Sequence, residues 1–267
     1  MKIALGVLIA FFVAWEGNPS ARAAEGKIAV VAAENFYGDL ARQIGGDRVL
    51  VISILSNPGQ DPHLFETSPS VIRELAGAQV VVYNGLGYDQ WMDNLLTVTP
   101  KAGRTVVAVA ELMGAKPGDN PHLWYDPKTM PVLAAALSAK LSAIDPPHAA
   151  DYAARLQVFL ASLGPLEARI SALRTAYGDV PATATEPIFG YMAAALQLRM
   201  LNQRFQLAVM NNTEPSAADL GSFERSLTMH SVRVLFFNKQ VSDNLVRHLV
   251  DLARASKIPV VGVTETC

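Results

Sequence analysis

The chain has 267 residues, 51% of them hydrophobic and 17% charged, enough to bury a sizeable core in one or two domains. Its 22 Lys and Arg nearly balance 24 Asp and Glu, so nothing in the charge argues for nucleic acid or an anionic membrane surface as partner. The single cysteine, Cys267, is the last residue, which excludes an internal disulfide and a thiolate metal site.

The N-terminal stretch begins with Lys2, continues with an apolar run over residues 3–15, and reaches "SARAAE", where Ala21 and Ala23 have the small-residue spacing of a signal-peptidase site. Residues 1–24 therefore read as a cleavable signal peptide, and the apolar run is shorter than the roughly 20 residues a bilayer span needs. No cysteine lies near the cut to carry a lipid. A bacterial periplasm is the expected location.

From Lys27 the pattern alternates short apolar runs with longer helical stretches. Strands are expected at 27–33 (KIAVVAA), 49–55 (VLVISIL), 78–84 (AQVVVYN) and 105–111 (TVVAVAE). Their nearly continuous Val and Ile content suits a parallel sheet buried on both faces. Between them one helix starts near Glu34 and stops at Gly45-Gly46, and another begins at Ser68-Pro69. Residues 146–177 contain no strand-like run; Tyr152, Leu156, Phe159, Leu163, Leu166, Ile170, Leu173 and Tyr177 recur at helical steps and mark one stripe. Gly164-Pro165 should kink or divide that helix. Further strands are expected at 206–211 (QLAVMN), 232–238 (VRVLFFN) and 258–263 (IPVVGV), with helices from Ser216 and Ser242. The chain thus reads as α/β: a first lobe over 25–145, a long linker helix over 146–178, and a second lobe over 179–267. In such folds ligands collect at the carboxyl ends of the strands.

His148, His230 and His248 sit among polar helix neighbours and read as solvated. His63, in "DPHLFE", and His122, in "NPHLWYDP", each follow a proline in a loop after a strand. Proline stiffens the approach, which suits an imidazole fixed in one orientation, as a metal ligand must be. Glu66 and Asp126 are the nearby candidates to bond the second ring nitrogen, although two ordinary loop histidines would look the same. Glu186, in "ATATEPIFGYM", follows a strand-like run, and Glu265, in "VVGVTETC", follows the last strand. Two imidazoles and two carboxylates suit Mn²⁺, Fe²⁺ or Zn²⁺ and suit sulfur-preferring metals poorly.

These segments resemble the metal-binding solute receptors of bacterial ABC importers, the cluster A-I group that carries zinc, manganese or iron. "DPHLFETSPSVIRELAGA" looks like the group's first ligand loop and following helix, "DNPHLWYDP" like the second, "EPIFGYMAAAL" like the third and "TET" like the fourth. The resemblance implies His63, His122, Glu186 and Glu265 as ligands of one divalent ion, Mn²⁺ or Zn²⁺ with Fe²⁺ third, delivered to a membrane permease. It also implies two lobes, each with a parallel β-sheet flanked by helices, spanned by a long helix that limits their motion. The histidine-rich loop of many zinc receptors is missing before His122, and the chain stops where relatives add a helix, so Glu265 is expected to fray and to be held mainly by metal. An exported metal hydrolase and an adhesin-like interaction protein remain as alternatives, although neither an HExxH helix nor a Gly-x-Ser-x-Gly elbow occurs.

Overall fold

The structure is a computed structural model that describes residues 26–57, 65–211, 213–241 and 243–266; the expected signal peptide, His63, Ser242 and Cys267 lie outside these residues. The first sheet holds β1 (Ile28–Glu34), β2 (Val49–Leu55), β3 (Val80–Tyr83) and β4 (Thr105–Ala108), all parallel, in the order β2-β1-β3-β4. Alternate residues of β1 feed two cores. Ile28, Val30 and Ala32 face α1 (Asn35–Gly45), while Val31 and Ala33 face α2 (Pro69–Gly77) and α3 (Gln90–Val98) through Leu75, Met92 and Leu95. A strand buried on both faces cannot alternate with polar residues, which is why it reads as a continuous apolar run. Each such Val or Ile contributes roughly 1.5–3 kcal/mol by leaving water.

The expected helix boundaries are close. Gly46 follows α1 with φ +59, a conformation side chains rarely adopt, and its N–H bonds back to Arg42. Pro69 opens α2, but Ser68 pairs its hydroxyl with Ser70 rather than capping the helix. The run at 105–111 is strand only to Ala108, after which the chain turns into the short α4 (Val109–Leu112).

Three helices follow: α5 (Thr129–Ile144), α6 (Ala149–Ser162) and α7 (Gly164–Tyr177). The division falls at Leu163, where Gly164-Pro165 was expected to break the ladder. The apolar stripe does not pack along its whole length. Tyr152 and Phe159 of α6 are in the first core with α5, whereas in α7 only Ile170 is buried and Leu166 and Tyr177 are 47% and 55% exposed.

The second sheet repeats the first: β5 (Pro181–Ala184), β6 (Arg199–Met200), β7 (Leu235–Asn238) and β8 (Val260–Val263), parallel, in the order β6-β5-β7-β8. Helices α8 (Gly190–Ala195), α9 (Gln203–Met210), α10 (Ala217–Thr228) and α11 (Asn244–Ala255) flank it. Ser216 and Asp243 cap α10 and α11 through Asp219 N and Val246 N. One expected strand is overturned: 206–211 lies in α9 and the first residue beyond it, with Phe205 and Gln206 buried and Leu207 exposed. Among the described residues no helix is long and apolar enough to cross a membrane.

In each sheet the chain leaves its first strand to one side and returns on the other. The switch points are therefore the carboxyl ends of β1 and β3 in one lobe and of β5 and β7 in the other.

Candidate metal centre

The first lobe's switch point is built by the turn after β3. Asn84 is buried there, and Asp89 closes the turn by accepting the amides of Asn84 at 2.6 Å and Gly85 at 2.7 Å. Tyr37 of α1 donates to Asn84 Oδ1 at 2.7 Å, and Asn84 Nδ2 donates to Pro121 O at 2.9 Å. One asparagine thus ties this turn to the peptide just before His122.

His122 is 1% exposed, with its ring edge-on to Trp124 at 5.3 Å. Its partner is Asn120, not the expected Asp126, whose carboxylate accepts Lys128 N instead. Asn120 Nδ2 donates to Pro187 O at 2.6 Å, so Asn120 Oδ1 is left as acceptor; it takes His122 N at 3.1 Å and Nδ1 at 2.6 Å. Nδ1 therefore carries the proton and Nε2 the lone pair, the tautomer a metal ligand needs.

Glu186 follows β5, is 6% exposed, and precedes the single turn Pro187–Phe189. Because Pro187 accepts from Asn120, the loops of His122 and Glu186 are joined across the lobes. His122 and Glu186 line one cleft of about 600 Å³. Asp119, Glu214 and Asp243 also line it, and among the described residues no Lys or Arg does. Glu265 is set behind that wall. It is 1% exposed, with Oε2 accepting from Tyr88 at 2.9 Å and Oε1 from Asn238 Nδ2 at 2.6 Å, while its N–H donates to Gln240 Oε1. The expectation that it frays is overturned: three partners and burial hold it. Tyr88, its donor, lines the cleft.

Among the described residues no three His, Cys, Asp or Glu side chains come together as a ready ion site, and His63 lies outside those residues. Its suggested partner Glu66 is exposed. His148 and His248 bond Asp145 and Glu224, as solvated helix residues do.

A second group of acids was not anticipated. Glu34, at the end of β1, is fully buried against Asp89. Burial first, then the Asp89 charge, holds the Glu34 carboxyl well above the usual range, and burial raises Asp89 to about 6 against its two amide bonds. Burial and the neighbouring carboxylates Glu265, Glu34 and Asp89 raise the Tyr88 phenol, so it stays a donor. The available signal was an acid closing an apolar strand run.

Comparison with known proteins gives one consistent answer. A family model described as zinc-uptake complex component A, periplasmic (ZnuA), matches residues 30–266. The metal ABC transporter substrate-binding lipoprotein SloC of Streptococcus mutans is 24% identical over 258 residues, covering 90% of this chain and 81% of SloC. The iron-binding protein YfeA of Yersinia pestis is 26% identical over 277 residues, covering 99% and 77%. The solved periplasmic zinc-binding protein TroA of Treponema pallidum superposes with a TM-score of 0.72 at 22% identity, over 89% of this chain and 87% of TroA.

Proposed function

We infer the function from this premise: the chain belongs to the zinc-uptake complex component A family, whose model spans residues 30–266. We propose that it is a periplasmic solute-binding protein that captures one divalent transition metal as cargo and hands it to an ABC permease. The observation that carries this reading is His122, buried at the cleft wall with its tautomer fixed by an asparagine that also grips the Glu186 loop. His63 from the first ligand loop, Glu186 and Glu265 complete the proposed donor set. The acids Asp119, Glu214 and Asp243 along the same cleft draw cations toward it.

A catalytic metal keeps a coordination position for water, whereas two imidazoles and two carboxylates occupy the shell, so the set suits holding an ion rather than hydrolysis. A carboxylate in place of a third imidazole moves the preference toward Mn²⁺, while intrinsic affinity still rises toward Zn²⁺. The cargo is Mn²⁺ or Zn²⁺, with Fe²⁺ third. Native mass spectrometry with elemental analysis of chain purified without added metal tests this. One ion per chain is expected, with loss of binding in His63→Ala and His122→Ala; unchanged affinity in both variants would falsify the site.

A further inference from the structure

We propose that Glu34 is a positioning residue for metal capture: from the end of β1 it holds Asp89, and through Asp89 the turn that presents both Tyr88 and Asn84 to the site. The inference rests on the reading of the cleft as a metal site. Among the described residues neither Glu34 oxygen meets a hydrogen-bond donor, the residue is 0% exposed, and the parallel register that pairs Ala32 with Val82 brings Glu34 level with Asn84 at the start of the turn. Among the described residues the charged group facing it is the Asp89 carboxyl, and the titratable groups around the pair are the phenols Tyr37 on α1, Tyr83 at the end of β3 and Tyr88 on the same turn. Two ionised carboxylates do not stand together in a dry pocket without a cation, so the pair keeps one proton, and the protonated acid donates to its partner. That bond orients the Asp89 carboxylate, whose oxygens close the turn on the Asn84 and Gly85 amides.

Two consequences run outward from the turn. Tyr88, next to Asp89, donates to Glu265 Oε2. Asn84 donates to Pro121 O, one residue before His122. A single acid under the first lobe's switch point therefore supports two of the proposed ligands without itself lining the cleft. An apolar side chain of similar size would fill the same space but could not donate to Asp89. A glutamine would fill it and donate.

Glu34→Gln and Glu34→Leu separate positioning from packing, with wild type and His122→Ala as references. Isothermal titration with Mn²⁺ and Zn²⁺ should give Glu34→Gln within about threefold of wild type and Glu34→Leu weaker by about tenfold or more, the scale of one charged hydrogen bond. In the metal-free chain, carbon-13 carboxyl NMR should show Glu34 protonated at neutral pH. Leucine binding as tightly as glutamine overturns the role, as does an ionised Glu34 at neutral pH. If Glu34→Leu does not fold, Glu34→Gln decides: binding as weak as His122→Ala overturns the proposal. A wild type that binds neither metal brings down the reading of the site, whereas a binding wild type with an indifferent Glu34→Leu brings down only the positioning role.

Discussion

Asn120 serves two lobes with one amide. Its Nδ2 is committed to Pro187 O, and that commitment makes its Oδ1 the acceptor for His122 Nδ1–H. Removing it frees the ring to rotate or change tautomer. Asn120→Ala should weaken metal binding by about 10–100-fold, the usual effect of losing such an outer partner; titration calorimetry showing wild-type affinity would refute the assignment. Gly190→Ala should act in the same direction but less, because a Cβ there would fall 2.9 Å from Asn120 Nδ2. His122 was legible in the sequence from its proline and loop position. Its partner was not, because what fixes the Asn120 amide is Pro187, 67 residues away, and nothing local distinguishes Asn120 from Asp126. The Glu34–Asp89 pair adds a pH effect of defined sign. Both carboxyls have raised values in the folded chain, so the folded state holds protons the unfolded state has released. Their contribution is full below the ordinary carboxyl value of about 4 and is lost as pH rises through about 6 for Asp89 and beyond for Glu34. The melting temperature of the metal-free chain should therefore fall between about pH 5 and pH 8, and fall less in Glu34→Gln. Equal drops in the two chains would show that the pair keeps no extra proton.

At the scale of elements, the strands of the first lobe and their order of appearance were legible because double burial makes each an unbroken apolar run. The second lobe was harder. β5 is only Pro-Ala-Thr-Ala, poor in β propensity, and is a strand because it lies between β6 and β7 in the sheet. The run QLAVMN has the composition of a strand yet lies in α9 and the residue after it; six residues are too few for the apolar period to decide, and packing of Phe205 on Phe223 of α10 decides instead. The stripe through α6 and α7 has the spacing of one continuous surface. Its α6 half lies against α1 and α5, but its α7 half finds little to cover it, so identical spacing gives different energetics on the two sides of Leu163. Phe159→Ala should cost about 3–5 kcal/mol of stability, the range for a truncated core aromatic. Leu166→Ala, on the 47% exposed face, should stay within about 0.5 kcal/mol. Comparable losses in urea unfolding would mean that α7 is packed after all.

For the whole molecule, the sequence led to a helix strapped across both lobes as the brake on their motion. The structure adds direct contacts between the lobes, in a seam beneath the cleft. Asn120 Nδ2 to Pro187 O at 2.6 Å, Tyr191 OH to Asn120 O at 2.8 Å, Tyr125 OH to Thr264 O at 2.8 Å and Tyr88 OH to Glu265 Oε2 at 2.9 Å all pass between lobes. The Tyr125 ring also meets Phe189 at 5.5 Å, which stacks on Phe236 at 4.5 Å. Each hydrogen bond contributes about 1 kcal/mol net and the Tyr125–Phe189 pair, the ring contact that crosses between lobes, about 0.5–1.5 kcal/mol, so separating the lobes costs several kcal/mol. A ligand moves such an equilibrium only by its difference in affinity for the two arrangements. Small-angle scattering profiles of the metal-free and metal-loaded chain should therefore nearly superimpose. The combined variant Asn120→Ala and Tyr125→Ala removes part of the seam while leaving α7 intact, and its metal-free form should expand. A large contraction of the wild type on loading would show that the seam does not hold the lobes, and a double variant as compact as the wild type would leave the restraint to the helix.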